Sequence, residues 1–408
     1  MYENLVNQDA GKLLAADIRH NRLPGAILFA GPEASGKLTA ALETARILSC
    51  HENPQGKWIC ECPSCLQHKS LVCSNLMLMG PRDCSLEISA AAKTFIQAHF
   101  INAKFIDAAR YLFLRSVRKL TLRFNGILWE GDSNLNKIGN LIEEINENLE
   151  QLDFPRELPD NSTVKKLCED IAKSCMKLED DFLYDSLPIS QVRNMESWAH
   201  IKSEEGRKTV IIENADRMQN SVRNALLKIL EEPPEDVVFI LLTSKRNAIM
   251  QTILSRVRTY NFADRTKEQQ RDVITRVFHN DDFAGSLNEY LLTYLPVTPS
   301  EIKSQARIFY NSVAKHEICN IDEIVKNCGK FYPRIELRLF LSDLAHFMRP
   351  MLNSQAGSEA AARAMGLLRN CSDNITLFNQ SPVSALEILL RDLFALNNSF
   401  GGVFCEAM

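Results

Sequence analysis

Long apolar runs are missing from this sequence of 408 residues. No stretch approaches the about 18 consecutive apolar residues that a membrane-spanning helix needs. The first residues, Met1 to Asn4, show neither the basic start nor the apolar core of a secretory signal. We therefore expect a cytoplasmic protein without a membrane partner.

An excess of charge of either sign is also missing. The chain carries 47 lysines and arginines against 51 aspartates and glutamates, a formal net charge of -4. This balance excludes a polycation, so any contact with nucleic acid has to come from a local basic patch or from a partner. Internal repeats and low-complexity tracts are absent as well, and the length suggests about two to four domains.

A glycine-rich loop follows the first apolar run of strand length. Residues 26–30 read Ala-Ile-Leu-Phe-Ala, and residues 31–37 read Gly-Pro-Glu-Ala-Ser-Gly-Lys. A Gly-x-x-x-x-Gly-Lys segment between a strand and a helix is typical of P-loops, which cradle nucleotide phosphates with backbone N–H groups and a lysine. The candidate nucleotide-binding residues in this loop are Gly31, Ser35, Gly36, Lys37 and Thr39.

The loop lacks one expected group. A Ser or Thr directly after the lysine usually holds Mg²⁺, but Leu38 stands there and Thr39 comes one position late. One step along a helix rotates a side chain by about 100°, so Thr39 should not replace the missing hydroxyl. We expect a P-loop fold in which ATP or ADP binding is weak or absent. A glycine turn without any ligand is the alternative.

A second acidic motif follows the strand-like residues 209–212. Glu213 occupies the position of the carboxylate that anchors Mg²⁺ in P-loop ATPases, and Asn214 that of the glutamate that activates water. Because an amide cannot act as a general base, the sequence predicts little or no ATP hydrolysis. Asp216 is expected to cap the N-terminus of the next helix.

Four of the twelve cysteines lie close together in the sequence. Cytosolic chains rarely carry a disulfide framework, and four thiolates at short spacing match a structural zinc site with no open position for catalysis. His68 or Cys73 could replace one ligand, and four free thiols in a loop is the remaining alternative. The predicted ligands are Cys50, Cys60, Cys62 and Cys65.

Strand-like and helical segments alternate over the first part of the chain. Apolar runs at 26–30, 209–212 and 237–242 have the composition of buried strands, and helical patterns separate them. Alternation of this kind predicts a parallel sheet with helices on its faces. Beyond about residue 264 we find only helical patterns.

Three segments together closely resemble the AAA+ clamp-loader subunits of bacterial DNA polymerase III. They are Asn-Ala-Leu-Leu-Lys-Ile-Leu-Glu-Glu-Pro-Pro at 224–234, a strand ending at Thr243-Ser244, and Leu-Ser-Arg at 254–256. The cysteine knuckle at 50–73 strengthens the resemblance. It covers residues 1–80 and 187–264 well, and residues 265–408 only by length and helical character.

The resemblance implies a role in DNA replication. Subunits of this kind assemble, as a hetero-pentamer, to load the ring-shaped sliding clamp onto primed DNA, and the polymerase reaction belongs to another subunit. Leu38 and Asn214 depart from the ATPase-active gamma and tau pattern and fit the mostly inactive delta-prime type. Arg256 corresponds to the arginine finger that acts on a neighbour's ATP, and Thr243 to the nucleotide sensor. A surface ion pair and a strand-end cap are the alternatives for these two residues.

Residues 81–186 have no counterpart in the family pattern and are expected to form an inserted helical subdomain. An apolar stripe from Leu135 to Leu152 could seek a partner helix. Basic residues among aromatics in this segment could contact DNA, although a solvated helix face is the commoner reason for such a run. These basic residues are Arg110, Arg115, Arg118, Lys119 and Arg123.

The sequence thus predicts an α/β P-loop AAA+ domain with a parallel sheet over 1–263, an all-α lid over 264–325, and an all-α collar for oligomerisation over 326–408. The predicted function is that of an ATPase-deficient clamp-loader subunit. An active gamma/tau-type ATPase and an unrelated P-loop kinase are the alternatives.

Overall fold

The computed structural model describes residues 1–52, 56–203, 206–376, 378 and 380–405. Residues 53–55 of the predicted cysteine knuckle therefore lie outside the described residues. Within the described ranges a five-stranded sheet has the order β2-β3-β4-β1-β5, with every neighbouring pair parallel. Its strands are β1 (Ala26–Ala30), β2 (Leu76–Met79), β3 (Lys208–Ile212), β4 (Val237–Thr243) and β5 (Arg258–Asn261).

The three predicted strands are confirmed as β1, β3 and β4, and they form the centre of the sheet. Sequence analysis missed β2 and β5, the two edge strands, which have four residues each. β5 has the sequence Arg-Thr-Tyr-Asn and carries no apolar run, because only Tyr260 is buried. β2 is apolar and wholly buried, but its four residues are too few to show a strand pattern.

Both faces of the three central strands are buried, as is usual in a parallel sheet. Ile27 and Phe29 point into an apolar cluster that contains residues of the first two helices. Leu28 and Leu241 point into a second cluster on the opposite face, which extends through the helices that follow β2.

Twelve helices of the first part of the described chain accompany the sheet. They are α1 (Ala10–Arg19), α2 (Lys37–Leu48), α3 (Pro63–Ser70), α4 (Ser85–Phe100), α5 (Ile106–Thr121), α6 (Leu135–Glu150), α7 (Asn161–Phe182), α8 (Ile189–His200), α9 (Asn220–Glu231), α10 (Gln251–Leu254), α11 (Lys267–Phe278) and α12 (Leu287–Leu292).

The chain divides into two compact units, residues 1–290 and 291–408. The second unit is helical in its described residues, as predicted. Its helices are α13 (Pro299–Lys315), α14 (Ile321–Asn327), α15 (Arg334–Phe347), α16 (Gln355–Thr376) and α17 (Pro382–Ser399). The division falls inside the segment predicted to be the lid, and the boundaries of lid and collar stay predictions. Among the described helices, none has the length and apolarity needed to cross a bilayer.

The segment expected to be a helical insertion contains α4 to α7. Its helices share one apolar cluster with the sheet: Phe95 and Phe113 are fully buried in the same cluster as Leu28. The apolar stripe of α6 already has a partner within the chain, because α6 packs against α7 and buries Ile138 and Ile145. This stripe is therefore not a free surface for a partner helix.

The parallel sheet brings several loops together. β1, β3 and β4 are neighbours and run in the same direction, so the loops that follow them emerge at one edge. The glycine-rich loop, Glu213 and Thr243 stand at these strand ends. The loop after β2 joins them, because β2 pairs with β3.

Candidate P-loop site and cysteine cluster

The glycine-rich loop has the shape predicted from its sequence. It leaves β1 at Gly31 and enters α2 at Lys37. A Cβ atom at Gly31 would lie 2.4 Å from the carbonyl oxygen of Phe262, so this approach requires glycine. Gly36 has a φ of 91° at the N-cap of α2, a conformation that glycine adopts without strain.

Lys37 folds back over its own loop. Its Nζ donates hydrogen bonds to the carbonyl oxygens of Gly31, at 2.7 Å, and Pro32, and it lies 3.3 Å from Oγ of Ser35. Ser35 in turn donates to the Pro32 carbonyl at 2.8 Å. Burial lowers the pKa of Lys37 to about 8. A phosphate group would have to replace these carbonyl oxygens as the partner of Nζ.

Leu38, which stands where a Mg²⁺-binding hydroxyl was expected, is a core residue. Its side chain is buried in the apolar cluster beneath the loop. Thr39 is half-buried one position further along α2. The hydroxyl that normally follows the lysine has been replaced by a core residue.

Glu213 is buried at the end of β3, and both of its carboxylate oxygens are paired with arginines. Oε1 accepts a hydrogen bond from Nη1 of Arg82 at 2.9 Å, and Oε2 accepts one from Nη2 of Arg123. Burial by itself would raise the pKa of Glu213, but the two guanidinium groups outweigh it and lower that pKa. The carboxylate is therefore ionised, and the two guanidinium groups already balance its negative charge.

This arrangement does not fit Mg²⁺. A magnesium ion takes oxygen ligands and is repelled by fixed positive charge, whereas the oxygens of Glu213 face two guanidinium groups. The nearby hydroxyl position is occupied by Leu38. Sequence reasoning missed the pairing of Arg82 and Arg123 with Glu213, because the two arginines lie 131 and 90 residues away from it.

The residues after Glu213 have structural partners too. The side-chain amide of Asn214 donates to the carbonyl oxygen of Pro81. Asp216 accepts a hydrogen bond from the Thr243 hydroxyl at 2.7 Å, and Gln219 stands at the N-cap position of α9. The expected capping role of Asp216 was therefore wrong: its carboxylate ties the turn after β3 to the end of β4.

Arg256 lies just beyond α10 and contacts the end of α9. Its guanidinium donates to the Thr252 carbonyl at 2.8 Å and to Oε2 of Glu231 at 3.1 Å. The Arg256 side chain is 28% exposed, while that of Glu231 is 59% exposed. An ion pair this exposed is weak, so a stronger anion could displace Glu231.

Arg265 is a further loop contact that the sequence did not reveal. It donates to the carbonyl oxygens of Ala34 and, at 2.9 Å, Val6. Burial lowers its pKa. A cavity of about 250 Å³ lies beside it, lined by Glu33 and Ser35 from the loop and by Gln270 from α11.

The four predicted metal ligands come together in space. The sulfur atoms of Cys50, Cys60, Cys62 and Cys65 all lie within 4.8 Å of one another. Cys50 and Cys60 are 3.7 Å apart, close to the edge of about 3.8 Å expected for a tetrahedron of sulfurs around zinc. The geometry and the soft donors fit a structural metal ion.

His68 and Cys73 contact each other outside this cluster. Nδ1 of His68 lies 3.4 Å from Sγ of Cys73, and burial lowers the pKa of His68 to about 4. The ring is therefore neutral at physiological pH. The arrangement favours the four clustered cysteines over either alternative ligand.

Arg46 links the cysteine cluster to the helix that begins at the P-loop. It is buried on α2, pairs with Glu43 of the same helix, and donates to Sγ of Cys65 at 3.2 Å. It also donates to the carbonyl oxygens of Gly56 and Lys57. Sequence analysis missed it because a lone arginine in a helix carries no pattern.

The basic run of α5 is used inside the protein. Arg115 donates to the His68 and Lys69 carbonyl oxygens, and Arg118 to that of Ser70 at 3.1 Å, so both hold the C-terminus of α3. Arg110 donates to the carbonyl oxygens of Leu152, Asp153 and Arg156. Lys119 pairs with Glu87. These partners argue against DNA contact by this run.

Comparisons with known proteins agree with the motifs. The family model described as "DNA polymerase III, delta subunit" matches residues 6–127 and 147–266. The match includes residues 81–127 and 147–186, which we expected to lie outside the family pattern, so that expectation was too broad. Residues 128–146, which include most of α6, separate the two matched ranges.

Individual relatives match over short stretches. The delta' subunit of DNA polymerase III from Bacillus subtilis is 41% identical over 59 residues, 14% of this chain and 18% of that protein. The tau subunit from the same organism is 44% identical over 55 residues, 14% of this chain and 10% of that protein. The chain thus matches less than a fifth of the length of these curated relatives.

A solved structure of a DNA polymerase III gamma subunit-related protein from Thermotoga maritima is 16% identical, with a TM-score of 0.25, and the match covers 56% of this chain and 90% of that one. At that TM-score the likeness does not bear on the fold. The family match carries the assignment, because it spans more than half of the chain and includes the P-loop, the cysteine cluster and the Glu213 motif. The chain belongs to the DNA polymerase III delta-subunit family.

Proposed function

We propose that this chain is a clamp-loader subunit of DNA polymerase III, of the delta-prime type, without ATPase activity of its own. The observation that carries this proposal is the state of the P-loop site in a chain of this family. The loop is intact, but Leu38 is buried in the core and Asn214 is bonded to the Pro81 carbonyl. Hydrolysis would need a metal ligand and a base at these two positions.

In this role the chain contributes Arg256 to the ATP site of a neighbouring subunit. The side chain is partly exposed, and its partners are the Thr252 carbonyl oxygen, the Ser255 hydroxyl and an exposed glutamate. Exchange of Glu231 for a phosphate would release the guanidinium to stabilise charge on that phosphate. The partners are other AAA+ subunits in a hetero-pentamer, the sliding clamp and primed DNA.

Structural zinc at the cysteine cluster completes the proposal. Cys50, Cys60, Cys62 and Cys65 would hold it, and Arg46 would orient Cys65 from α2. A closed shell of four thiolates stabilises the fold and has no open position for substrate. The lid at 264–325 and the collar at 326–408 belong to the same proposal, with the collar as the oligomerisation domain.

The experiment is a reconstituted clamp loader with DNA-stimulated ATP hydrolysis as the readout. We expect Arg256→Ala to reduce hydrolysis by at least about 100-fold at the neighbouring site, with assembly unchanged. Arg246→Ala is the matched control, because Arg246 is an exposed arginine in the preceding turn. Full activity of the Arg256→Ala complex would exclude the finger role.

The alternative is an active ATPase of the gamma/tau type, which the match to the Bacillus subtilis tau subunit favours. Steady hydrolysis by the purified chain, abolished by Lys37→Ala, would support this alternative over an ATPase-deficient subunit. Because the chain belongs to this family, no observation favours the second alternative, an unrelated P-loop kinase.

A further inference from the structure

Glu213 belongs to a row of alternating positive and negative side chains. Arg123 pairs with Glu213, Glu213 with Arg82, Arg82 with Glu87, and Glu87 with Lys119. The row thus contains three positive and two negative groups, so its positive charge already exceeds its negative charge. No group in it needs a further cation for neutrality.

Arg123 is a fixed member of this row. Its side chain is fully buried, Nη1 lies 3.4 Å from the Gly80 carbonyl oxygen, and its own carbonyl oxygen accepts a hydrogen bond from Trp129 Nε1 at 2.9 Å. Its guanidinium cannot leave Glu213 without losing the Gly80 contact or becoming a buried unpaired charge. The guanidinium is therefore part of the folded site.

Arg82 reaches the same carboxylate from the loop after β2. The backbone approaches closely here, because a Cβ atom at Gly80 would lie 2.3 Å from the Glu213 carbonyl oxygen. β1 and β3 flank β4 and run in the same direction, so Glu213 and the P-loop emerge at the same edge of the sheet. A cation entering at Glu213 would meet Arg82 and Arg123 before it met a free carboxylate oxygen.

We propose that Arg82 and Arg123 take the place of the divalent cation at this P-loop and bar Mg²⁺ from it. The site then selects for phosphate-bearing ligands that are free of metal, and it discriminates against their Mg²⁺ complexes. This inference rests on the proposed P-loop role, but it concerns the isolated chain. Its test is therefore separate from assembly and from the arginine finger.

The test measures ADP binding by the purified full chain, by calorimetry, in Mg²⁺ and in EDTA. The key background is Leu38→Thr, which restores the missing hydroxyl while leaving both arginines in place. We expect Mg²⁺ to change the ADP affinity of the wild type and of Leu38→Thr by no more than about twofold. In Leu38→Thr combined with Arg82→Gln and Arg123→Gln, Mg²⁺ should tighten binding by about tenfold or more.

The matched control is Leu38→Thr with Arg115→Gln, which removes an arginine that does not contact Glu213 and should show no gain from Mg²⁺. Mn²⁺ binding followed by electron paramagnetic resonance gives a second readout that does not depend on hydrolysis. If loss of Arg123 prevents folding, the variant Leu38→Thr with Arg82→Gln tests the proposal instead, because Arg82 is 33% exposed. Loss of Arg82 alone should still let Mg²⁺ tighten ADP binding.

Three results would overturn the proposal. The first is a tenfold gain from Mg²⁺ in the wild type or in Leu38→Thr alone, since the arginines would then not bar the cation. The second is a folded combined variant without any gain. The third is the absence of ADP binding in every variant, with Mg²⁺ and with EDTA. The arginines could not then discriminate between metal-free ADP and its Mg²⁺ complex.

Discussion

The cysteine cluster and the Glu213 corner are the two places where the sequence predicts ligands for a divalent cation. At the cysteine cluster, four sulfur atoms face one another. The positively charged Arg46 donates one hydrogen bond to Sγ of Cys65. At Glu213, both carboxylate oxygens have a guanidinium partner. The first arrangement leaves negative charge for a metal to neutralise once the thiols ionise, and the second leaves none.

Ligand type alone therefore does not define a metal site. Glu213 has the chemistry of a magnesium ligand, yet the surrounding charges have already satisfied it. The cysteines are close in sequence and share one small volume, so few other groups can intervene.

The largest effect is expected at the cysteine cluster. Cys65→Ser removes one of four clustered sulfurs, and we expect the purified chain to lose its bound zinc and more than about 5 kcal/mol of folding free energy, because structural zinc contributes directly to stability. Metal analysis and denaturant unfolding on the same sample measure both quantities. Cys73→Ser is the control and should retain zinc. Equal zinc contents in Cys65→Ser and the wild type would contradict the assignment.

The next effect concerns the paired carboxylate. Glu213→Gln leaves Arg82 and Arg123 without their shared anion, and we expect it to lower the free energy of unfolding by about 3–5 kcal/mol, because a buried charge is left uncompensated. Urea unfolding measures this change. Glu33→Gln, an exposed carboxylate of the P-loop, should change stability by less than about 0.5 kcal/mol. Similar losses of unfolding free energy in Glu213→Gln and Glu33→Gln would show that the Glu213 carboxylate does not balance a buried charge.

Acid should weaken the same row of charges. Burial alone would raise the pKa of Glu87, but Lys119 and Arg82 outweigh it and lower that pKa from 4.5 to about 2. A carboxyl with a lowered folded-state pKa contributes stability above its unfolded pKa and loses it as pH falls toward the folded value. We expect a loss of about 3 kcal/mol between pH 4.5 and about 2 from this group.

Unfolding curves at several pH values test this expectation, with Glu87→Gln as the comparison. The variant should be less stable than the wild type at neutral pH and should lose less stability in the acid range. Parallel pH dependences for the two proteins would show that Glu87 does not carry the effect.

The smallest effect is expected from the arginines of α5. Arg115→Ala removes a donor from the His68 and Lys69 carbonyl oxygens and should lower the free energy of unfolding by about 1–2 kcal/mol. Binding of the chain to single-stranded DNA should not change, because this guanidinium is turned inward. A clear loss of DNA affinity with unchanged stability would restore the nucleic-acid interpretation of this run.

Local patterns made much of the molecule predictable. The strand–loop–helix order around Gly31, the three central strands and the cysteine cluster all depend on residues close together in sequence. The helices of residues 85–182 were also foreseen, but not their sharing of the sheet's apolar core. The edge strands escaped because four residues carry little periodicity.

The charge pairing around Glu213 could not be read from the sequence. Arg123 looked like one of several basic residues on a helix face, and nothing nearby in the chain marks it as buried. Its partner is brought to it only when β2 pairs with β3 and α5 packs behind the sheet. A single sequence contains no signal for a contact across 90 residues.

The close fit between Gly31 and the chain after β5 has a mechanical consequence. The carbonyl oxygen of Phe262 lies so close to Gly31 that a side chain there would clash with it. Arg265 donates a hydrogen bond to the carbonyl oxygen of Ala34 in the loop. Because the P-loop and the backbone at 262–265 share these contacts, a change in the conformation of one has to be accommodated by the other. An anion that ordered the loop would by the same contacts order this segment.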